Sequence, residues 1–161
     1  MPRSDGFTLI ELAIALVVAG IVLATGLPAF TRYRDSLLLR QAETQLLQDV
    51  RRARQLAVTR RAPVIMRFGA PPNIRNITQY SIHIDTNADN LVTSGESAIL
   101  RTLPSSTKLD SVCMVSQIDS VTFDISGTLR PGSQGGTFYL SNARGRRDTL
   151  AISAAGICYR P

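Results

Sequence analysis

The sequence has no tryptophan and one histidine, His83, among 161 residues. With a single histidine, His83 is the one candidate for the general base of a Ser/His/Asp triad. A metal site would have no second histidine as a ligand. The chain also lacks a P-loop and a dinucleotide-binding glycine fingerprint, the short motifs that bind nucleotide phosphates. These absences argue against an enzyme, and we do not expect one.

Acidic residues are also scarce, with 12 Asp and Glu against 18 Lys and Arg, so the net charge is +6. Hydrophobic residues make up 44% of the chain and charged residues 19%, which is typical of a folded domain rather than a disordered chain. The excess is mostly arginine, between Arg32 and Arg75 and again between Arg144 and Arg147. Such a charge attracts nucleic acid or anionic lipid, and it equally suits a solvated face or a charge contact in an assembly.

The N-terminal region changes from polar to apolar at one point. Met1–Gly6 is short and polar, whereas Phe7–Phe30 is a long apolar run. At about 1.5 Å per residue, this run is long enough to cross a hydrocarbon core of about 30 Å. A secretory signal peptide has its small cleavage-site residue after the apolar core, but here Gly6 comes before it. We therefore predict a leader that is removed while the membrane helix stays.

Glu11 lies inside the apolar run, where an ionised carboxylate costs at least a few kcal/mol. One interpretation is that Glu11 sits near the lipid headgroups and is solvated there. The other is that it pairs with a positive group on a neighbouring subunit. Cleavage after Gly6 would create such a group, the α-amine of Phe7.

The segment Gly6–Leu12, GFTLIEL, resembles the prepilin signature of type IV pilins and type II secretion pseudopilins. The resemblance implies that a dedicated peptidase cuts after the glycine and methylates the new N-terminal Phe7. It also implies that Glu11 aligns subunits in a filament. Gly26 and Pro28 are expected to break or loosen the helix, because proline removes a backbone donor and clashes with the preceding turn.

Beyond Pro28 the apolar pattern becomes that of an amphipathic helix. The residues that recur at three- and four-residue steps are Leu39, Ala42, Leu46, Val50, Ala53 and Ala57. This stripe predicts one long helix from about Phe7 to about Arg60, with Pro63 as the stop signal.

After Pro63 the sequence changes to short segments with strand character. The predicted strands are 64–68, 79–84, 98–103, 112–115, 120–124, 136–141 and 149–153. The predicted fold class is α+β, with the long N-terminal helix packed on an antiparallel β-sheet. The predicted organisation is a leader at 1–6, a transmembrane and filament-core helix at 7–30, its amphipathic continuation at 31–62, and a β-rich head at 63–161.

Three segments resemble the GspH/FimT-like minor pilins and H-type pseudopilins: 45–68, 85–104 and 121–141. The resemblance implies a structural subunit that helps to initiate or cap a type IV pilus or a type II secretion pseudopilus. The expected partners are other pilin subunits, prepilin peptidase, the inner-membrane assembly platform and the lipid bilayer. The expected location is the bacterial inner membrane, crossed once with the head in the periplasm, and then the filament. The alternative is a DNA-binding minor pilin used in DNA uptake.

One loop has oxygen-bearing side chains at the spacing of a calcium-binding EF-hand loop. Its candidate ligand positions are Asp85, Asn87, Asp89, Leu91, Thr93 and Glu96. The sixth position is Asn90 rather than glycine, and the flanking segments read as strands. The alternative is a polar hairpin loop in which Asp and Asn supply turn chemistry. We expect no other cofactor.

The two cysteines, Cys113 and Cys158, lie outside the apolar run. In an extracytoplasmic domain they would persist as a disulfide that ties the C-terminal end to the sheet. The alternative is two small buried thiols.

Arg144, Arg146 and Arg147 fall in a predicted loop and are candidates to contact DNA phosphates or a neighbouring subunit. DNA-uptake pilins of the FimT type are expected to carry a C-terminal Gly-Arg-x-Arg motif. Here the stretch Gly156–Arg160 has isoleucine and tyrosine where that motif has its two arginines. This departure weakens the DNA-binding alternative.

Overall fold

The structure is a computed structural model. It describes residues 8–69, 77–89, 92, 96–114, 120–130 and 135–161, with the side chains of 113 and 114 excepted. The predicted processing residues Gly6 and Phe7, and the calcium-loop positions Leu91 and Thr93, lie outside the described residues. The chain forms two units, Met1–Arg34 and Asp35–Pro161.

The first element is one long helix, α1, Leu9–Arg60. It ends where Arg61 takes a left-handed conformation with φ of 52°, shortly before Pro63, which matches the predicted stop. Every member of the predicted apolar stripe is buried: Leu39, Ala42, Leu46, Val50, Ala53 and Ala57. The stripe packs on the β-strands that follow, so the predicted combination of a long helix and antiparallel strands is confirmed.

Within the described residues, eight strands follow α1, and seven of them overlap predicted strands. The strands are β1 Val64–Phe68, β2 Gln79–Ile84, β3 Ala98–Thr102, β4 Thr107–Met114, β5 Ser120–Phe123, β6 Gly135–Asn142, β7 Arg147–Ser153 and β8 Cys158–Tyr159. The missed parts are β8, which is too short to show a period, and the first half of β4. In that half Thr107 and Leu109 are buried but alternate with Lys108 and Asp110, so the segment reads as polar.

The strands form two four-stranded antiparallel sheets rather than the single sheet that we expected. The first has the order β3-β2-β1-β5 and the second the order β4-β6-β7-β8. An isolated bridge between Ile77 and Leu109 links them. Phe68 of β1 and Phe138 of β6 pack with their ring centroids 5.3 Å apart, so both sheets contribute to one core.

Candidate functional site

The apolar half of α1, residues 9–30, is exposed in the part of the chain that the structure describes. Leu9, Val17 and Phe30 are 86%, 62% and 66% exposed, and the large apolar residues between them are exposed as well. Among the described residues, α1 is long and apolar enough to cross a membrane. Exposed apolar surface of this extent marks a contact with lipid or with other proteins.

Thr8 and Glu11 form a capping box at the start of α1. The Thr8 backbone N–H and hydroxyl both donate to Glu11 Oε2, at 3.0 and 2.9 Å, and the Glu11 N–H donates to Thr8 Oγ1 at 3.3 Å. The pair satisfies backbone donors that the first turn leaves open. The Thr-x-x-Glu spacing could have predicted this box, which neither interpretation of Glu11 included.

The predicted helix break at Gly26 and Pro28 does not occur in this structure, where α1 runs through both residues. A single proline removes one backbone hydrogen bond, and the turns on either side keep theirs. Two threonines add side-chain bonds nearby: Thr25 Oγ1 donates to the Ile21 carbonyl at 3.1 Å, and Thr31 Oγ1 donates to the Pro28 carbonyl at 3.0 Å.

Three of the predicted calcium ligands come together after β2. Carboxylate oxygens of Asp85, Asp89 and Glu96 all lie within 4.8 Å of one another, and Asp85 is fully buried. Asn87 instead donates to Asp89 Oδ2 at 2.8 Å, the kind of turn contact that the alternative interpretation expects. Clustered carboxylates offer the hard oxygen atoms that calcium prefers. Calcium binding stays a prediction.

The predicted DNA-contacting arginines are already engaged within the chain. Arg144 Nε is 2.6 Å from Asp35 Oδ2, and Arg146 Nη1 donates to Ser36 Oγ at 3.2 Å. Arg147 Nε lies 3.6 Å from Asp110 Oδ2. The loop therefore ties the β6–β7 connection to α1 and to β4.

The C-terminal arginine is engaged as well. Arg160 Nη2 is 2.9 Å from Asp148 Oδ1, and Arg160 Nε is 3.6 Å from Glu43 Oε1. This pairing fastens the end of the chain to β7 and to α1. Arg160 follows Tyr159, the residue that stands where the motif has its second arginine, and its contacts are within the chain.

The predicted disulfide between Cys113 and Cys158 does not fit the sheet topology. The cysteines lie on β4 and β8, the two edges of the second sheet, with β6 and β7 between them. Three strand spacings of about 4.8 Å put their backbones about 14 Å apart, twice the Cα separation of about 7 Å that a disulfide can span. Cys158 is a free, buried thiol, and burial raises its pKa to about 11. A buried thiol was the alternative expectation.

Two family models match the chain. The model for type II transport protein GspH matches residues 42–156, more than two thirds of the sequence. The chain belongs to the GspH family. The model for the prokaryotic N-terminal methylation motif matches residues 1–27, which include the segment that resembles the prepilin signature. No curated protein sequence matches the chain.

Two solved structures share the fold of this GspH-family chain. Both are crystal structures of the type IV minor pilin FimU from Pseudomonas aeruginosa PAO1. One is 21% identical, with a TM-score of 0.57, and the match covers 82% of this chain and 92% of that one. The other is 23% identical, with a TM-score of 0.54, and covers 76% and 91%. The family and the fold are those of structural pilins.

A buried polar network in the GspH domain has no local signal in the sequence, because its members are far apart along the chain. Asp49 is only 5% exposed, accepts a 2.6 Å hydrogen bond from the Tyr80 hydroxyl and forms an ion pair with Arg101 Nε at 3.2 Å. Burial, and then the contact with Asp49, raise the pKa of Tyr80, so the hydroxyl remains a donor. Gln45 adds a bond to the Thr102 carbonyl at 3.0 Å. The network joins α1 to β2 and β3.

Proposed function

We propose that this GspH-family chain is a minor pilin or pseudopilin that helps to initiate or cap a type IV pilus or a type II secretion pseudopilus. It enters the inner membrane through the apolar half of α1, with the head in the periplasm. Prepilin peptidase then cuts after Gly6 and methylates Phe7, and the assembly platform adds the subunit to the filament.

The observation that carries this proposal is the exposed apolar half of α1, most of which lies within the match to the methylation motif, residues 1–27. Apolar surface that the chain does not bury itself is stable in contact with lipid before assembly. After assembly it is stable in contact with the helices of other subunits. The head, in contrast, buries its own core. A processed helix attached to a self-contained head suits a subunit that moves from membrane to filament.

Within this proposal, Glu11 has two roles that can be separated. In the chain it caps α1 with Thr8. In the filament its carboxylate pairs with the α-amine of Phe7 on a neighbouring subunit, and that pairing depends on charge, whereas capping does not. Glutamine also serves at the third position of a capping box. Glu11→Gln therefore keeps the cap and removes the charge. Thr8→Val removes the two bonds of the Thr8 hydroxyl, leaves the bond from the backbone N–H and keeps the charge.

We expect Glu11→Gln and Glu11→Ala to be cleaved normally but to enter the filament about tenfold less well, because one lost charge pair in an apolar setting costs on the order of 1.4 kcal/mol. Thr8→Val should enter nearly as well as the unaltered chain. The measurement is quantitative immunoblotting of processed chain in cell membranes and in the sheared filament fraction. Normal incorporation of Glu11→Gln would contradict the charge role, and equal loss in Thr8→Val would reassign Glu11 to capping alone.

The alternative function, DNA binding during DNA uptake, receives less support. The arginines on which it was based contact Asp35, Ser36 and Asp110 within the same chain. A phosphate backbone would have to compete with these carboxylates for Arg144 and Arg147.

A further inference from the structure

A groove lies between the last turns of α1 and the turn that leads into β8. It has a volume of about 460 Å³ and is lined by Arg51, Arg54, Gln55, Val58, Thr59, Gly156, Ile157 and Cys158. We call it the α1–β8 groove. All of its lining residues belong to the head unit, Asp35–Pro161.

Two glycines fix one wall of the α1–β8 groove. Gly127 and Gly156 have φ of 76° and 73°, in the left-handed region. A Cβ on Gly127 would lie 2.9 Å from Val58 Cγ2, and one on Gly156 would lie 2.7 Å from the Gly127 carbonyl oxygen. The two turns therefore press directly on each other and on the helix. A wall packed in this way is ordered before any partner arrives, which lowers the entropic cost of binding.

The groove combines exposed apolar side chains with arginine. Val58 and Ile157 are 51% and 52% exposed, and the neighbouring Tyr159 is 50% exposed. Arg51 and Arg54 stand beside them. Aromatic and aliphatic anchors next to arginine are typical of the centre of a protein–protein interface, whereas nucleic-acid surfaces are more uniformly polar.

The arginines of this region differ from those of the β6–β7 loop. Arg51, Arg52, Arg54, Arg60 and Arg61, which we call the helix-end arginines, form no ion pair with any carboxylate that the structure describes. Arginine near a helix C-terminus gains some stability from the helix dipole, and this accounts for Arg60 in the last turn. Arg51 and Arg54 lie further from that end and face the groove.

Most head carboxylates that the structure describes already face arginines or one another within the chain. Those that face arginines within the head are Asp35, Glu43, Asp49, Asp110 and Asp148. Three others, Asp85, Asp89 and Glu96, belong to the cluster after β2. Among the described head residues, Asp124 is the one side-chain carboxylate outside both sets, so a second copy offers little negative charge and the partner of Arg51 and Arg54 is better sought on a different protein.

We propose that the α1–β8 groove docks an acidic segment of a different filament subunit, with an apolar side chain against Val58 and Ile157 and carboxylates paired with Arg51 and Arg54. This inference rests on the proposed function, because it requires that the chain is a filament subunit. It assigns to the head a heterotypic contact that is separate from the apolar helix contacts of α1.

The test is photo-crosslinking in bacterial cells that carry the whole filament system. The full chain has p-benzoylphenylalanine in place of Ile157 and, as a control outside the groove, in place of Tyr139. Adducts in the filament fraction are identified by mass spectrometry. Each of these two chains is made in two further versions. The test version carries Arg51→Glu plus Arg54→Glu, and the control version carries Arg52→Glu, a charge reversal next to Arg51 that does not line the groove. If the double reversal lowers the melting temperature of the head, Arg51→Gln plus Arg54→Gln replaces it.

We expect position 157, but not position 139, to form an adduct with another subunit, at a peptide that contains Asp or Glu. The double variant should lower the adduct yield about fivefold or more, and Arg52→Glu less than about twofold. Replacing the adduct's carboxylate with arginine should restore the yield of the double reversal. A nuclease-sensitive adduct, an adduct with a second copy, equal losses from Arg52→Glu, or a filament-borne chain with no adduct would each overturn the docking proposal alone. Absence of the chain from the filament fraction would overturn the proposed function and the docking with it.

Discussion

The two halves of α1 differ in whether their apolar side chains are exposed or buried. In the first half, Leu16 is 66% exposed and its apolar neighbours are exposed on every side of the helix. In the second half, Leu46 is fully buried, and the exposed positions are mostly polar or charged. The second half is folded by its own chain, and the first half must be completed by lipid or by other subunits.

This difference is what the proposed function requires, in which one helix lies first in a membrane and then in a filament. The core of the head does not depend on the apolar half, since its members all lie at or beyond Leu39. The apolar half can therefore exchange lipid contacts for contacts with neighbouring helices without unfolding the head.

Truncating one leucine in each half should give the largest contrast. We expect Leu46→Ala to lower the free energy of unfolding of the head by about 2–5 kcal/mol, because it leaves a cavity in the core. Leu16→Ala, the matched control, should change it by less than about 0.5 kcal/mol. The measurement is urea denaturation of the full chain in detergent micelles, followed by circular dichroism. Equal destabilisation by both variants would show that the head depends on the apolar half.

The buried network around Asp49 should have the next largest effect. Tyr80→Phe removes the hydroxyl that donates to Asp49. The buried carboxylate then keeps its ion pair with Arg101 but loses this hydrogen bond. We expect a loss of about 1–3 kcal/mol in the same denaturation assay. Tyr139→Phe is the control, because Tyr139 is 38% exposed and lies outside this network. An unchanged free energy of unfolding in Tyr80→Phe would mean that the network does not help to hold α1 on the sheet.

The smallest expected effect concerns the acidic cluster of Asp85, Asp89 and Glu96. It tests whether calcium stabilises the head. The predicted calcium site leads us to expect that calcium, at about ten times its dissociation constant, raises the melting temperature of the head by about 5 °C. Glu96→Gln should abolish the increase, and Asp124→Asn, outside the cluster, should keep it. No increase up to millimolar calcium, or the same increase in Glu96→Gln, would favour the polar hairpin interpretation.

The features that the sequence predicted well are those encoded over short distances. The stripe from Leu39 to Ala57 follows the helical period, and VIMRF and QYSIHI match β1 and β2 at both ends. The methylation motif is likewise a local pattern, and the matching family model covers the same residues.

The features that it did not predict depend on contacts between distant residues. Arg144 is held by Asp35, 109 positions earlier, and Tyr80 by Asp49, 31 positions earlier. The strand order β4-β6-β7-β8 places Cys113 and Cys158 at opposite edges of the second sheet, and the positions of the two cysteines in the sequence do not reveal this order. A cluster of arginines along the chain does not indicate which of them already have partners in the fold.

The most direct test of the central claim is the intact mass and N-terminal peptide of the chain extracted from bacterial membranes. The account predicts that the mature chain begins at Phe7, carries one methyl group on its α-amine and retains the whole apolar run. A chain that keeps Met1, or one that is cut after the apolar run, would contradict the assignment to a processed filament subunit.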